Sequence, residues 1–216
     1  MSKVRTVWYT PDGEDLVAYM ARVSNPGNQD NKETAPKLIK YLIKNKHWSP
    51  LEMVNVCMEI ETTRDIARQI LRHRSFSFQE FSQRYAAVQG FEYSEARLQD
   101  LKNRQNSLEV GDDSLHNWWF LAQKRIRDDV ELVYDMALAK GIAKETARKI
   151  LPEGLTMSKM YMNGTLRSWL HYVDIRCDEA TQKEHRQVAD MCKAELVKYF
   201  PNVMSAFSTK EAMNAN

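Results

Sequence analysis

MVNVCMEIET (Met53–Thr62), followed one residue later by RDIARQILR (Arg64–Arg72), is the passage on which the fold turns. In its first half Val54, Val56, Met58 and Ile60 alternate with Asn55, Cys57, Glu59 and Glu61. Successive side chains of a strand point to opposite faces, so this period of two predicts a half-buried strand. In its second half Ile66, Ala67, Ile70 and Leu71 gather on one side at helical spacing, which predicts a helix. Upstream, the dense apolar and aromatic run Val4–Tyr9 reads as a strand, and Asp12–Val23 reads as a short helix closed by Pro26-Gly27. Glu33–Lys44, with Leu38, Tyr41 and Leu42, reads as an amphipathic helix, and Trp48-Ser49-Pro50 as a loop. Downstream, no period fits Ser75–Tyr85, and Tyr93–Asp113 is polar and loop-like. Ser114–Lys140 is a long helix broken at Gly141, and Lys144–Ile150 is a shorter one stopped before Pro152-Glu153-Gly154. Leu155–Met162 is a candidate strand; Leu166–Ile175 and Thr181–Tyr199 are helices, the second ended by Pro201. Strands and helices do not alternate regularly, which argues against a doubly wound sheet. The expectation is α+β: a helix-rich single domain over residues 1–216 with a small, mostly antiparallel sheet and a polar tail from about residue 208.

Composition narrows the function classes. With 216 residues, 43% hydrophobic and 28% charged, the chain suits one sizeable core. A formal net charge of +2 is low for a protein that grips nucleic acid through a broad basic patch. Cys57, Cys177 and Cys192 are odd in number and in no Cys-x-x-Cys arrangement, so neither a disulfide framework nor a metal site is expected. The N-terminal stretch MSKVRTVWYTPDGEDL lacks an apolar run of signal-peptide length, and no stretch approaches the roughly 20 apolar residues of a membrane helix. The expectation is a cytoplasmic protein without membrane or nucleic-acid partners.

Chemistry concentrates in RHRSFSFQEFSQRY, Arg72–Tyr85. Arg72 and Arg74 could be charges that merely complement a helix C-terminus. Against that, convergent guanidinium forks hold a phosphate dianion, and hydroxyls such as Ser77 and Ser82 add neutral donors. Glu80 does not suit a bare phosphate site. It suits a ligand that also carries a sugar hydroxyl or a base, so a nucleotide fits better than an inorganic anion. A nucleotide- or nucleic-acid-binding protein without catalysis, stacking bases on Trp and Tyr, is the rival reading.

The stretch resembles the signature R-H-R-x-x-S-x-N-E-x-S-x-R-Y of flavin-dependent thymidylate synthases. It matches at Arg72, His73, Arg74, Ser77, Glu80, Ser82, Arg84 and Tyr85, and departs at Gln79, where the pattern has Asn. His47-Trp48-Ser49-Pro50-Leu51-Glu52 resembles the family's H-x-[ST]-P-x-E-H, with Met53 standing in place of the closing His. Ala147-Arg148-Lys149-Ile150-Leu151-Pro152 resembles A-R-x-x-L-P, and Asn163–Arg176 resembles the family's helix ending in a catalytic Arg. On that helix Arg167 and His171 share one side, while Trp169, Tyr172 and Arg176 share another.

The resemblance implies the fold of that family, a homotetramer, and reductive methylation of dUMP to dTMP with FAD as cofactor and NADPH and 5,10-methylenetetrahydrofolate as co-substrates. It implies dUMP contacts at Gln69, Arg72, Glu80, Phe81, Ser82, Gln83, Arg84, Arg148 and Arg176, with Arg176 catalytic. It implies FAD contacts at Ser49, Arg72, His73, Arg74, Glu80, Thr165, Arg167 and His171. No cysteine here has the P-C-Q context of conventional thymidylate synthases. Ser82 lacks a nearby base, so it is read as a phosphate donor and not a nucleophile.

Overall fold

The computed structural model describes the backbone of residues 2–88 and 90–214, and side chains through residue 208. Its centre is β2, Asn55–Thr63, the strand with the period of two. It pairs antiparallel with β1, Lys3–Tyr9, on one side and with β6, Met157–Thr165, on the other. The short β3, Ser77–Glu80, adds to the far edge of β6, giving the order β1-β2-β6-β3. All these ladders are antiparallel, and most of the chain outside them is helix.

Val56, Met58 and Ile60 of β2 and Met160 and Met162 of β6 are fully buried on the inner face. Against that face pack α6, Leu166–Arg176, and α7, Lys183–Tyr199, with α1, Gly13–Ala21, and α2, Ala35–Lys44, at one end. The core runs from Val17 to Phe207. Trp169 lies within it, its indole N–H donating to the Val56 carbonyl at 3.0 Å. Among the described residues no helix is long and apolar enough to cross a membrane.

The structure corrects several local expectations. β2 is buried on both faces: Cys57 and Glu59 are buried too, because neighbouring strands flank it. Glu59 tolerates this through a two-pronged grip by Arg5, at 2.8 and 2.9 Å. Ser49–Met53 is a turn of 3₁₀-helix, not a plain loop. The irregular segment contains β3, and the polar loop contains a hairpin of β4, Arg97–Gln99, and β5, Ser107–Glu109. Four- and three-residue strands are too short to show a period. In α2 the buried stripe is Ala35, Ile39, Leu42 and Ile43, and Tyr41 is exposed. Pro201 ends α7 but also opens α8, Pro201–Asn214, since proline suits a first helical turn. Val203, Met204 and Phe207 anchor α8 in the core, so the expected tail is helical through Asn214; residues 215–216 lie outside the described residues.

The remaining helices complete the surface. α3 is Arg64–Ile70, α4 is Asp113–Ala139, and α5 is Lys144–Ala147, continued by a 3₁₀ turn at Arg148–Ile150. Asp112 caps α4 by accepting from the Ser114 amide at 2.8 Å.

Candidate active site

The signature leaves α3 on a turn in which the His73 amide donates to the Ile70 carbonyl at 3.0 Å. That turn sends His73 inward and leaves Arg72 and Arg74 exposed. His73 lies edge-on to the buried Tyr172 of α6, with ring centroids 5.0 Å apart. Its Nε2 accepts from Arg176 Nε at 2.9 Å. Burial, then the charge of Arg176, then His171 push the His73 pKa down from 6.5 to about 4. The ring is therefore neutral at neutral pH, and Arg176 keeps an undiluted positive charge with its two terminal nitrogens free of His73.

Behind this pair stands His185 of α7, fully buried. Its Nε2 is 3.2 Å from the Tyr172 hydroxyl, and its Nδ1 is 3.2 Å from Gln69 Oε1. Gln69 thus shares a cluster with His73 and Arg176. Sequence reasoning missed His185: a histidine in the first turn of a polar helix carries no local signal.

A second group forms where β3 ends. Glu80 accepts from the Ser158 hydroxyl at 3.0 Å, with Arg64 of α3 3.9 Å away. Burial lowers the Arg64 pKa; Glu80 opposes this, and the positive charges of Arg68 and Arg148 add to it. The Phe81 amide donates to the Lys159 carbonyl at 2.8 Å, which carries the chain along β6 past the strand. The Ser82 hydroxyl accepts from the Arg84 amide at 3.3 Å. Gln83 is buried, and its amide nitrogen has no hydrogen-bond partner among the described residues. Arg84 lies over the Tyr85 ring and 3.6 Å from Glu145 of α5, whose next turn carries Arg148. Arg64, Arg68, Arg84 and Arg148 gather at this end, the first three paired with Glu80, Glu153 and Glu145. Sequence reasoning missed Arg64 and Arg68, although Arg64, Arg68 and Arg72 recur every fourth residue, one face of a helix.

The third group is a groove of about 380 Å³ between α6 and the 3₁₀ turn after Trp48. Trp48, Glu52, Ser75, Arg167, Ser168 and His171 line it. Arg167 is paired with Glu52. Thr165 caps α6, accepting from the Ser168 amide at 3.2 Å. Ser49 is exposed beside Trp48 and outside the lining. Gln79 and Met53, the two departures from the signature, are exposed; Gln79 pairs across the sheet with Tyr161.

Most of the predicted site residues fall into three groups within one chain; Ser49, Arg72 and Arg74 are exposed and belong to none of them. Arg176, His73 and Gln69 meet beside α3. Glu80, Phe81, Ser82, Gln83, Arg84 and Arg148 lie around the end of β3. Arg167, His171 and Thr165 lie along the groove. The contacts of Arg176 run to His73, whereas Arg84 and Arg148 have Glu145 and Arg64 as neighbours. Arg64 and Arg68 face one group and Gln69 the other, so α3 lies between them.

Comparison with known proteins shows the family. A sequence profile of the family described as "Thymidylate synthase complementing protein" matches residues 5–202. The chain is 53% identical over 193 residues to a flavin-dependent thymidylate synthase of Synechocystis sp., covering 89% of this chain and 88% of that one. It is 49% identical over 194 residues to a probable flavin-dependent thymidylate synthase of Paramecium bursaria Chlorella virus 1, covering 89% of each. Among solved structures, a UMP/dUMP methylase from Streptomyces cacaoi bound with 5-Br dUMP superposes with a TM-score of 0.86 at 26% identity, over 97% of this chain and 95% of that one.

Proposed function

The chain belongs to the thymidylate synthase complementing protein family, and on that premise we propose that it is a flavin-dependent thymidylate synthase, methylating dUMP to dTMP with FAD, 5,10-methylenetetrahydrofolate and NADPH. One observation carries the assignment of the site: Arg176 is held through its Nε by a neutral, buried His73, a bond that uses neither of its terminal nitrogens.

The protein's task is to favour negative charge on the pyrimidine so that its C5 becomes nucleophilic. Arg176 is no general base, since a guanidinium offers donors and no acceptor. It acts as a preorganised cation beside the ring, and such preorganised groups are often the largest single contribution to catalysis. No cysteine has to add to the ring: Cys57 and Cys192 are buried, and burial pushes both thiols up, away from the reactive thiolate. Bound FAD supplies the hydride chemistry that completes the methyl group, and NADPH restores it.

The groove fits part of such a cofactor. Arg167, Ser75 and Ser168 offer donors to phosphate and hydroxyl oxygens, and Trp48 offers an aromatic wall. Its volume of about 380 Å³ is small against a dinucleotide. That supports a site completed by further copies, and we assign the chain to a homotetramer whose protomers are each a single catalytic domain. The same assembly accounts for three groups within one chain: the arginines around β3 and Arg176 serve dUMP from different copies. A cytoplasmic location follows for an enzyme fed by NADPH and folate.

The direct test is an anaerobic assay for dTMP from dUMP, FAD, NADPH and 5,10-methylenetetrahydrofolate, run with the visible spectrum of the purified protein. The expected result is a yellow protein that forms dTMP. A colourless protein that retards oligonucleotides would support nucleic-acid binding instead.

A further inference from the structure

The hydrogen bonds behind Gln69 form a chain with a direction. Glu184 of α7 is paired with Arg97, 2.6 Å away, and a carboxylate only accepts. Gln182 must therefore turn its amide nitrogen to Glu184, at 3.1 Å, which leaves its oxygen for Gln69. Gln69 answers with its own amide nitrogen, at 2.7 Å, so its oxygen faces His185 Nδ1. His185 then carries its proton on Nδ1, and its Nε2 accepts from the Tyr172 hydroxyl. Burial, Arg176 and His73 together push the His185 pKa down to about 3, so the ring is neutral and has one donor and one acceptor to offer.

A glutamine amide has no inherent preference for either way round, since a half-turn exchanges its oxygen and nitrogen in nearly the same space. Something must break that symmetry if the residue is to read a ligand. Here Glu184 does so from one end, and the fully buried Tyr172 and His185, which need partners, hold it from the other.

We propose that His185 is a positioning residue: with Glu184 it captures the Gln69 oxygen, so that Gln69 presents only an N–H to the nucleotide and selects for an acceptor oxygen there. This rests on the reading above in which Gln69 faces dUMP. His185 touches neither substrate nor cofactor; it acts through Gln69, and through Tyr172 it backs the face on which His73 and Arg176 stand.

The test is calorimetric binding of dUMP to the FAD-loaded enzyme, with kcat and KM measured alongside. In His185→Phe, Gln69 can turn over, and the dUMP Kd and KM rise about tenfold, the loss of roughly one well-aligned hydrogen bond, a larger change than any fall in kcat, with FAD still bound. His185→Gln offers an N–H to Gln69 and a carbonyl to Tyr172, and it restores the Kd to within about threefold of wild type. Glu184→Gln replaces the acceptor-only anchor with a group that can face either way, and it also raises the Kd. This variant, at a partly exposed position, decides the matter if His185→Phe does not fold. A folded, yellow His185→Phe or Glu184→Gln enzyme that binds dUMP as tightly as wild type overturns the relay, as does a His185→Gln enzyme no better than His185→Phe. Absence of dUMP binding by wild type is a different result, because it overturns the nucleotide reading itself.

Discussion

An arginine is a useful catalytic cation only if its direction is fixed and its charge is not neutralised. Arg176 meets both conditions because its partner is an imidazole that burial keeps neutral, where a carboxylate would have cancelled the charge. Arg176→Ala should cut dTMP formation by about 10²–10³-fold or more, the scale seen when one preorganised donor is removed, while the visible spectrum shows FAD still bound. Arg176→Lys keeps the charge but loses the fork and the Nε donor to His73, so it should remain well below wild type. Turnover by the alanine variant at the wild-type rate would take Arg176 out of the mechanism. Arg84 is proposed to hold the phosphate, where a charge-assisted hydrogen bond contributes about 1.5–3 kcal/mol. Arg84→Ala should therefore weaken dUMP binding roughly ten- to a hundredfold by calorimetry; an unchanged Kd contradicts the phosphate role. The identities of these arginines were legible in the signature, but their partners were not. Nothing in Arg72-His73-Arg74 says that the histidine turns in and the arginines turn out. His185 joins Gln69 across 116 positions of sequence, a contact only the fold creates.

Elements whose pattern is long enough to repeat were readable, and those too short were not. β2 and α3 are close to where the alternation and the helical spacing put them, while the four residues of β3 show no period. β3 is nevertheless what places the segment Phe81–Tyr85, and its approach depends on one glycine. A Cβ built on Gly164 of β6 would stand 2.4 Å from the Phe76 ring, which packs edge-on against Trp169 at 4.9 Å. Gly164→Ala must push that ring into a filled core, a change that costs about 1–3 kcal/mol. A lower midpoint in urea with an unchanged slope is the expected reading, and a midpoint equal to wild type would show that the core gives way freely. The buried imidazoles join α3 to α6 and α7, and they make this junction sensitive to acid. His73 and His185 have folded pKa values of about 4 and about 3, below their ordinary 6.5. Between those limits the unfolded chain binds more protons than the folded one, so stability rises with pH. It is fully present above about pH 6.5 and lost as the pH falls toward 4 and then 3, with a slope approaching about 1.4 kcal/mol per pH unit for each ring. Denaturation midpoints measured from pH 7 to 4.5 should fall steadily, and less steeply in His185→Gln. Equal slopes in the two proteins would show that His185 is not the titrating group.

At the scale of the whole molecule the unusual element is α4. It runs for 27 residues, about 40 Å at 1.5 Å per residue, yet only Gln123 and Tyr134 are buried along it. Trp118 is 62% exposed and Leu132 61%, and Leu121, Ile126, Val133 and Met136 are each about half exposed. A helix gains most of its stability by burying an apolar face, so this face calls for a cover that a single chain does not provide. Sequence gave the length of α4 but not its isolation, because an apolar stripe looks the same whether it meets its own chain or another. The homotetramer proposed above would supply the cover, and it would also bring the arginines of one copy to Arg176 of another. The double substitution Leu132→Glu with Met136→Lys separates these effects. The new charges stand four residues apart in the favourable order, so they support the helix itself by about 0.2–0.5 kcal/mol while making its face unfit for burial. Light scattering should show the mass falling from four chains to one or two, with helical circular dichroism retained and FAD released. A variant that keeps the full mass and its yellow colour would show that α4 does not lie at the interface and that the three groups of site residues must be joined in some other way.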